Sequence, residues 1–294
     1  MEYQFLPNTP IDDADIIIVP IAYGESVSAK DGTQEAPEAI LQATQQLEYY
    51  EEDLEWSPMK FMKICVVDAL KSYADIERFY PLDLEKKLLL SLGGDHSITP
   101  KITKELLSKP STILFLDAHA DLRESYLGSK ESHATPAYQL LEQGHKMLMV
   151  GIRSLFESEA QRVKSDKNIE FYSDRALQKS STKEKLLDSI SHLEGDIYLS
   201  IDMDVFNPAF VPSVGTPQPG GMDWYFANDI IEQLFLNKKI NLKGVDMVEL
   251  IPEASQVSQV FTAKLLQKII SHWGKSQEFH KKEMLGSQME VHYE

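Results

Sequence analysis

The sequence predicts an α/β protein, a single-domain, three-layer, doubly wound fold around a mainly parallel sheet. Three observations lead there. Short β-rich runs alternate with amphipathic helical stretches along the 294 residues. Several of those runs are apolar on both faces, as central strands of a sheet covered on both sides must be. No internal repeat, low-complexity tract or Gly/Ser linker divides the chain.

The expected strands, in order, are 15–20 (DIIIVP), 62–67 (MKICVV), 87–92 (KLLLSL), 112–116 (TILFL), 146–151 (KMLMVG), 169–172 (IEFY), 196–201 (DIYLSI) and 242–248 (LKGVDMV). Helix patterns lie between them. PEAILQATQQLEYY places Pro37 in a first-turn position and spaces Ile40, Ala43 and Leu47 along one face. SITPKITKELL, ATPAYQLLEQGHK, KEKLLDSISHL and WYFANDIIEQLFL continue the pattern, with Gly144 as an expected C-cap. The domain is expected to cover 1–274. The polar, weakly patterned 275–294 is expected to be a tail.

A hydrophobic fraction of 43% and a charged fraction of 26% describe an ordinary soluble globular protein. The first residues lack a basic stretch followed by an apolar core and cleavage site, and no apolar run is long enough to span a bilayer. With one cysteine, Cys65, read as a buried thiol in FMKICVVDA, no structural disulfide is expected. The expected location is cytoplasmic, with no membrane partner. A net charge of −17 argues against nucleic acid and weakly favours cationic ligands or metal ions. Eight acids and no Lys or Arg fall between Asp31 and Glu55, and an exposed helical face is expected to carry them.

The unusual polar residues collect where strands end, and ligands of open parallel sheets bind beyond the carboxyl ends. LLLSLGGDH ends at Asp95 and His96, ILFLDAHAD at Asp117, His119 and Asp121, IYLSIDMD at Asp202 and Asp204, and GVDMVEL at Asp246 and Glu249. Alternate residues of extended chain point to one side, so each D-x-D or D-x-H-x-D presents its side chains together. One such pair is at home in an exposed turn. Repeated clusters at strand ends point to one shared crevice.

Four carboxylates there repel, since two unit charges ~4 Å apart interact by several kcal/mol at a protein-like dielectric. Two divalent cations would balance four aspartates. Two imidazoles with four carboxylates and no thiolate suit Mn²⁺ better than structural zinc, with Fe²⁺, Co²⁺ or Ni²⁺ also compatible. A two-metal centre suggests hydrolysis by activated water.

LGGDHS, DAHAD, SIDMDVFNP and GTPQPGG, in this order, resemble the ureohydrolases: agmatinase, arginase, formimidoylglutamase and guanidino-acid hydrolases. The resemblance runs from about residue 15 to residue 270. It implies the arginase-type α/β fold, two Mn²⁺ per subunit and a trimer or hexamer. It further implies that Asp117 and Asp202 bridge the ions, that His96 and Asp121 complete one ligand set, and that His119 and Asp204 complete the other. Asp121 would relay a proton to the departing amine. His133 matches the non-ligand histidine of the family, a candidate proton shuttle and substrate contact. Glu249 matches the glutamate that holds the guanidinium, whose planar donor fork suits a carboxylate. His145, His192, His272, His280 and His292 match nothing in the pattern.

The loop DLRESYLGSKESHATP carries Arg123 and lacks the Asn and Ser-Gly-Asn segments with which arginases hold an amino-acid head. Together with VGIRS, GTPQPGG and YGESVSAKDGTQEAPEAI, it resembles agmatinase-type members. The expected activity is hydrolysis of agmatine, a small cationic guanidine, to putrescine and urea in polyamine metabolism. Arg123 keeps carboxyaminopropylagmatine and guanidino acids open as alternatives, with arginine, formimidoylglutamate and a catalytically silent metal-binding homologue behind them. Two departures from agmatinases are Asn207-Pro208 for Asp-Pro and PSVGTP for PGTGTP. Asn207 serves a turn as Asp does, and Ser213 fits if its backbone avoids positive φ.

Overall fold

The computed structural model describes residues 9–24, 31–80 and 86–285. Eight parallel strands form one sheet: β1 (Ile16–Pro20), β2 (Ile64–Val66), β3 (Leu88–Leu92), β4 (Thr112–Leu116), β5 (Lys146–Ile152), β6 (Ile169–Ser173), β7 (Gly195–Asp202) and β8 (Ile240–Val248). Each coincides with an expected run to within about two residues at either end. The order β2-β1-β3-β8-β7-β4-β5-β6 is parallel throughout. Between β3 and β4 the chain skips two positions, which β7 and β8 later fill. The four strands that end in clustered acids and histidines, β3, β8, β7 and β4, are therefore neighbours.

Nine α-helices lie among the described residues: α1 (Ala36–Ala43), α2 (Tyr73–Phe79), α3 (Thr99–Leu106), α4 (Pro136–Glu142), α5 (Glu157–Ser165), α6 (Asp174–Leu177), α7 (Ser180–Ser191), α8 (Trp224–Leu236) and α9 (Val257–Ser276). Alternate strand residues feed two separate cores, which is what three layers require. Ile16, Leu90, Leu114 and Leu148 pack with Ile40, Ile190, Ile230 and Leu266, while Ile17, Leu89, Phe115 and Met149 pack with Ile76, Ile102 and Leu140. Gly144 caps α4 at φ 89°, its N–H donating to Leu141 O at 2.9 Å.

The structure corrects two details. The helix expected over 37–50 stops at Ala43, followed by a 3-10 turn at Thr44–Gln46, so Glu48–Glu55 share no helical face. Glu51 is fully buried rather than exposed, paired with the fully buried Lys268 of α9. That longest helix was not anticipated. It continues through Ser276, and beyond it Phe279 is buried against Trp273; residues 286–294 of the expected tail lie outside the described ones. Cys65 is a buried free thiol whose pKa burial raises. No described helix is long and apolar enough to cross a membrane.

Candidate metal centre

The turn after β3 is built around Gly94, where a Cβ would lie 2.0 Å from Tyr23 O; only glycine lets the chain pass so close. Asp95 then caps the 3-10 turn His96–Ile98 by accepting from Ser97 N at 2.8 Å, which turns the His96 ring inward against Phe115, 4.8 Å away and stacked at 9°. After β4 and β7 the same device recurs in miniature. Asp117 Oδ1 accepts from His119 N at 2.5 Å, and Asp202 Oδ1 accepts from Asp204 N at 2.8 Å.

These turns bring six residues together in two groups. His96 Nδ1 lies 3.2 Å from Asp117 Oδ2, 3.2 Å from Asp202 Oδ2 and 3.5 Å from Asp121 Oδ2. His119 Nδ1 lies 2.8 Å from Asp204 Oδ2 and 3.7 Å from Asp117 Oδ1. Asp117 thus turns one oxygen to each group, whereas Asp202 gives Oδ2 to the His96 group and Oδ1 to a backbone N–H. His96 Nδ1 and Asp117 Oδ2 are buried with no hydrogen-bond partner. Buried polar atoms left unpaired and converging on a common point fit a cation between them.

Behind the first group, Ser200 Oγ lies 3.0 Å from His96 Nε2 and donates to Asp246 Oδ1 at 2.7 Å, while Thr99 and Tyr198 donate to Asp246 Oδ2. Asp246, at a strand end in the sequence, is therefore a fully buried support and does not open to the cavity. The sequence reading missed Ser200, Tyr198 and Thr99. Their signal is a row of hydroxyls in positions of β7 and α3 where apolar residues are the rule.

The charges are strained without cations. Burial, then the charges of Asp121 and Asp204, push Asp117 up to about 8, and burial with Asp204 and Asp117 raises Asp202 well above the carboxylate range. Burial is the largest effect on Asp204 and raises it, but the bond to His119, the charge of that ring and the Ala118 N–H together outweigh burial and hold it low. Burial disfavours both imidazolium ions, yet the adjoining carboxylates raise His96 well above its ordinary value and bring His119 to about 9.

A cavity of about 390 Å³ opens over the cluster, lined by His119, Asp121 and Asp202 and also by His133, Glu249, Arg123, Tyr126 and Phe156. All eight expected site residues therefore meet here, His96, Asp117 and Asp204 beneath the surface. Asp121 and Glu249 both adopt the left-handed backbone region, φ 50° and 65°. Glu249 Oε1 accepts the His96 N–H at 2.8 Å; burial, then the charge of Asp95, raises its pKa. His133 meets the edge of Tyr126 at 5.4 Å. Arg123 lies over the rings of Tyr126 and Phe156, at 4.9 and 5.3 Å. Glu159, unforeseen, accepts from Leu122 N at 2.9 Å and Phe156 N at 2.6 Å, fastening the loops after β4 and β5 together. Asn207 makes its turn by accepting from Ala209 N at 2.9 Å, and Ser213 does not take positive φ. A larger cavity, about 520 Å³, lies at the amino ends of β3 and β8 among lysines and apolar residues; among the described residues, neither an acid nor a histidine lines it.

A family model described as Arginase, the arginase family, matches residues 14–273. The N(1)-aminopropylagmatine ureohydrolase of Synechocystis is 34% identical over 295 residues, covering 93% of this chain and 95% of its own. The agmatinase of Pyrococcus horikoshii is 32% identical over 276 residues, covering 90% and 94%. Among solved structures, the agmatine ureohydrolase of Thermoplasma volcanium superposes with a TM-score of 0.80 at 26% identity, covering 92% of this chain and 94% of that one.

Proposed function

The chain belongs to the arginase family of ureohydrolases, which hydrolyse guanidino groups, and from that premise we propose that it cleaves agmatine to putrescine and urea with two Mn²⁺ ions. The observation that carries the reading is the pair of carboxylate–imidazole groups sharing Asp117 at the floor of the cavity that Glu249 and His133 line. His96, Asp117, Asp121 and Asp202 would hold one ion, and Asp117, His119, Asp204 and Asp202 the other. Bound there, the pair would supply Lewis acidity and a hydrolytic water of lowered pKa.

The protein's own groups do the rest. Glu249 has one oxygen committed to the His96 N–H, and the other is available to the guanidinium. A cationic guanidine beside it offsets the burial that raises its pKa, so the carboxylate is ionised when substrate is bound. Water adds its oxygen to the guanidinium carbon, the bond from that carbon to the alkyl nitrogen breaks, and this nitrogen must gain a proton as it leaves. Asp121, lining the cavity on a backbone held at φ 50°, is the proton relay to that nitrogen. His133, on the cavity wall, exchanges the proton with solvent. Agmatine lacks the carboxylate for which arginine needs a partner, and the acidic cavity suits its distal ammonium. The subunit is expected to act in the cytoplasm as a homo-oligomer, a trimer or hexamer.

N(1)-aminopropylagmatine is the second reading, favoured by the relatives that act on it and by a cavity whose mouth is lined by the long walls of Tyr126 and Phe156. The deciding experiment is urea release by the Mn²⁺-loaded protein from agmatine, N(1)-aminopropylagmatine, carboxyaminopropylagmatine, guanidinobutyrate, formimidoylglutamate and arginine, with bound metal measured in parallel. Agmatine is expected to lead. Faster turnover of the aminopropyl compound replaces it as substrate, and no urea from any compound with two ions bound overturns the reading.

A further inference from the structure

Arg153 gives its guanidinium to backbone carbonyls. Nη1 lies 3.2 Å from the carbonyls of Gly151 and Val205, and Nη2 lies 2.7 Å from that of Asp204, 3.3 Å from that of Phe206 and 3.2 Å from that of Gln218. These oxygens belong to three segments: the end of β5, the turn after β7 and the 215–221 loop. The Arg153 N–H itself donates to Ala118 O at 2.8 Å, between Asp117 and His119 in the chain. The 215–221 loop has no slack against its neighbour, because a Cβ at Gly221 would lie 2.6 Å from Asn207 N.

Two residues held in this way converge on one ring. Asp204 Oδ2 lies 2.8 Å from His119 Nδ1, and the Gln218 side-chain amide lies 3.3 Å from His119 Nε2. The near atom of Gln218 is its amide nitrogen, which donates to Nε2 while Nδ1–H faces Asp204. A cation at Nδ1 moves the ring proton to Nε2, and the same amide, turned over, presents its oxygen to accept it. Thr216 adds a bond to Asp204 Oδ2 at 3.3 Å from the same loop. One planar fork therefore fixes the backbone of the residues that flank both nitrogens of His119. The His96 half is oriented separately, through Ser200 and Asp246.

We propose that Arg153 is a positioning residue for the His119 half of the metal centre, acting through Asp204 and Gln218 to set the affinity of that half for its cation. The proposal depends on the two-metal reading, which the metal content of the unaltered protein tests by itself. Lysine keeps the charge but offers its donors from a single atom and cannot span five carbonyls in three segments.

The test is an Mn²⁺ titration of Arg153→Lys and the unaltered protein, read by equilibrium dialysis with metal analysis and by the EPR signal that separates a coupled ion pair from a single ion. The variant should bind one ion normally and the other roughly tenfold or more weaker, within the range by which outer-shell partners alter metal affinity. At limiting Mn²⁺ it should show the single-ion signal, and excess Mn²⁺ should restore kcat with KM unchanged. Both ions bound as tightly as in the unaltered protein, with the fold intact by circular dichroism, overturns the proposal; so does equal weakening of both. If Arg153→Lys does not fold, Gln218→Ala decides, since it removes only the side chain at His119 Nε2. It should weaken the same ion, and undiminished binding overturns the proposal.

Discussion

Ser200 stands directly behind His96, its Oγ 3.0 Å from His96 Nε2. The hydroxyl has one proton, and Asp246 Oδ1 receives it at 2.7 Å. Ser200 must then accept from His96 Nε2–H, and the tautomer this leaves points the Nδ1 lone pair at three carboxylates. A lone pair facing anions is stable there only with a cation between them; without one, the carboxylates keep a proton on the ring, as its raised pKa shows. Ser200→Ala frees the ring to rotate or change tautomer, so Mn²⁺ affinity should fall about 10–100-fold. An Mn²⁺ titration checks it, and an unchanged midpoint would remove Ser200 from the account.

His133 lines the cavity but belongs to neither carboxylate–imidazole group. His133→Ala should therefore keep the full metal content while turnover falls about 10²–10⁴-fold, the usual span for a lost proton-transfer group. Metal analysis beside a urea assay separates the two roles, and loss of an ion would make His133 a ligand.

The strands and acid clusters were legible because they obey local rules: a buried parallel strand is apolar on both faces, and a turn after it repeats Asp at alternate positions. What was hidden depends on distant partners. Glu51 looks like one more surface acid until Lys268, 217 residues away, is seen beside it. The helix α9 carries Ser258, Gln259, Thr262, Gln267, Lys268 and Ser271 buried along with its apolar residues, which blurs the helical period. Arg153 and Glu159 bind backbone atoms, which no residue pattern announces.

Arg123 lies over two aromatic rings at the cavity mouth, so its position owes nothing to a bound substrate. Agmatine offers it no acceptor. Arg123→Ala should change kcat/KM for agmatine by less than about threefold, or 0.7 kcal/mol, and should cut turnover of carboxyaminopropylagmatine or guanidinobutyrate far more. Urea assays with the three compounds decide it. A large loss with agmatine would mean that Arg123 shapes the loop rather than reads the substrate.

His272, buried beside Phe235 at 6.4 Å, is held down to about 4 chiefly by burial. Between that value and the ordinary 6.5, the unfolded chain binds a proton that the folded protein refuses. Stability from this residue is therefore complete above pH 6.5 and is lost as pH falls toward 4. From pH 7 to 5 the loss should reach about 2 kcal/mol, at roughly 1.4 per pH unit below 6.5. His272→Phe should flatten that part of the denaturation profile, and an equally steep profile would assign the acid sensitivity to other groups.

Lys268 and Glu51 are both fully buried, with Asp53 and Glu52 also bonded to the lysine and Leu54 N donating to Glu51 Oε2 at 2.8 Å. Through them α9 holds the 48–56 segment. Desolvating such a pair cancels much of its attraction, so its net contribution is small, but removing one partner leaves a charge buried without compensation. Lys268→Met should destabilise the fold by about 3–5 kcal/mol, and changing Glu51 to Leu in the same chain should recover most of that loss. Denaturant midpoints of the single and double variants measure both numbers. If the double variant is no more stable than the single, the lysine matters for packing along α9 rather than for neutralising Glu51.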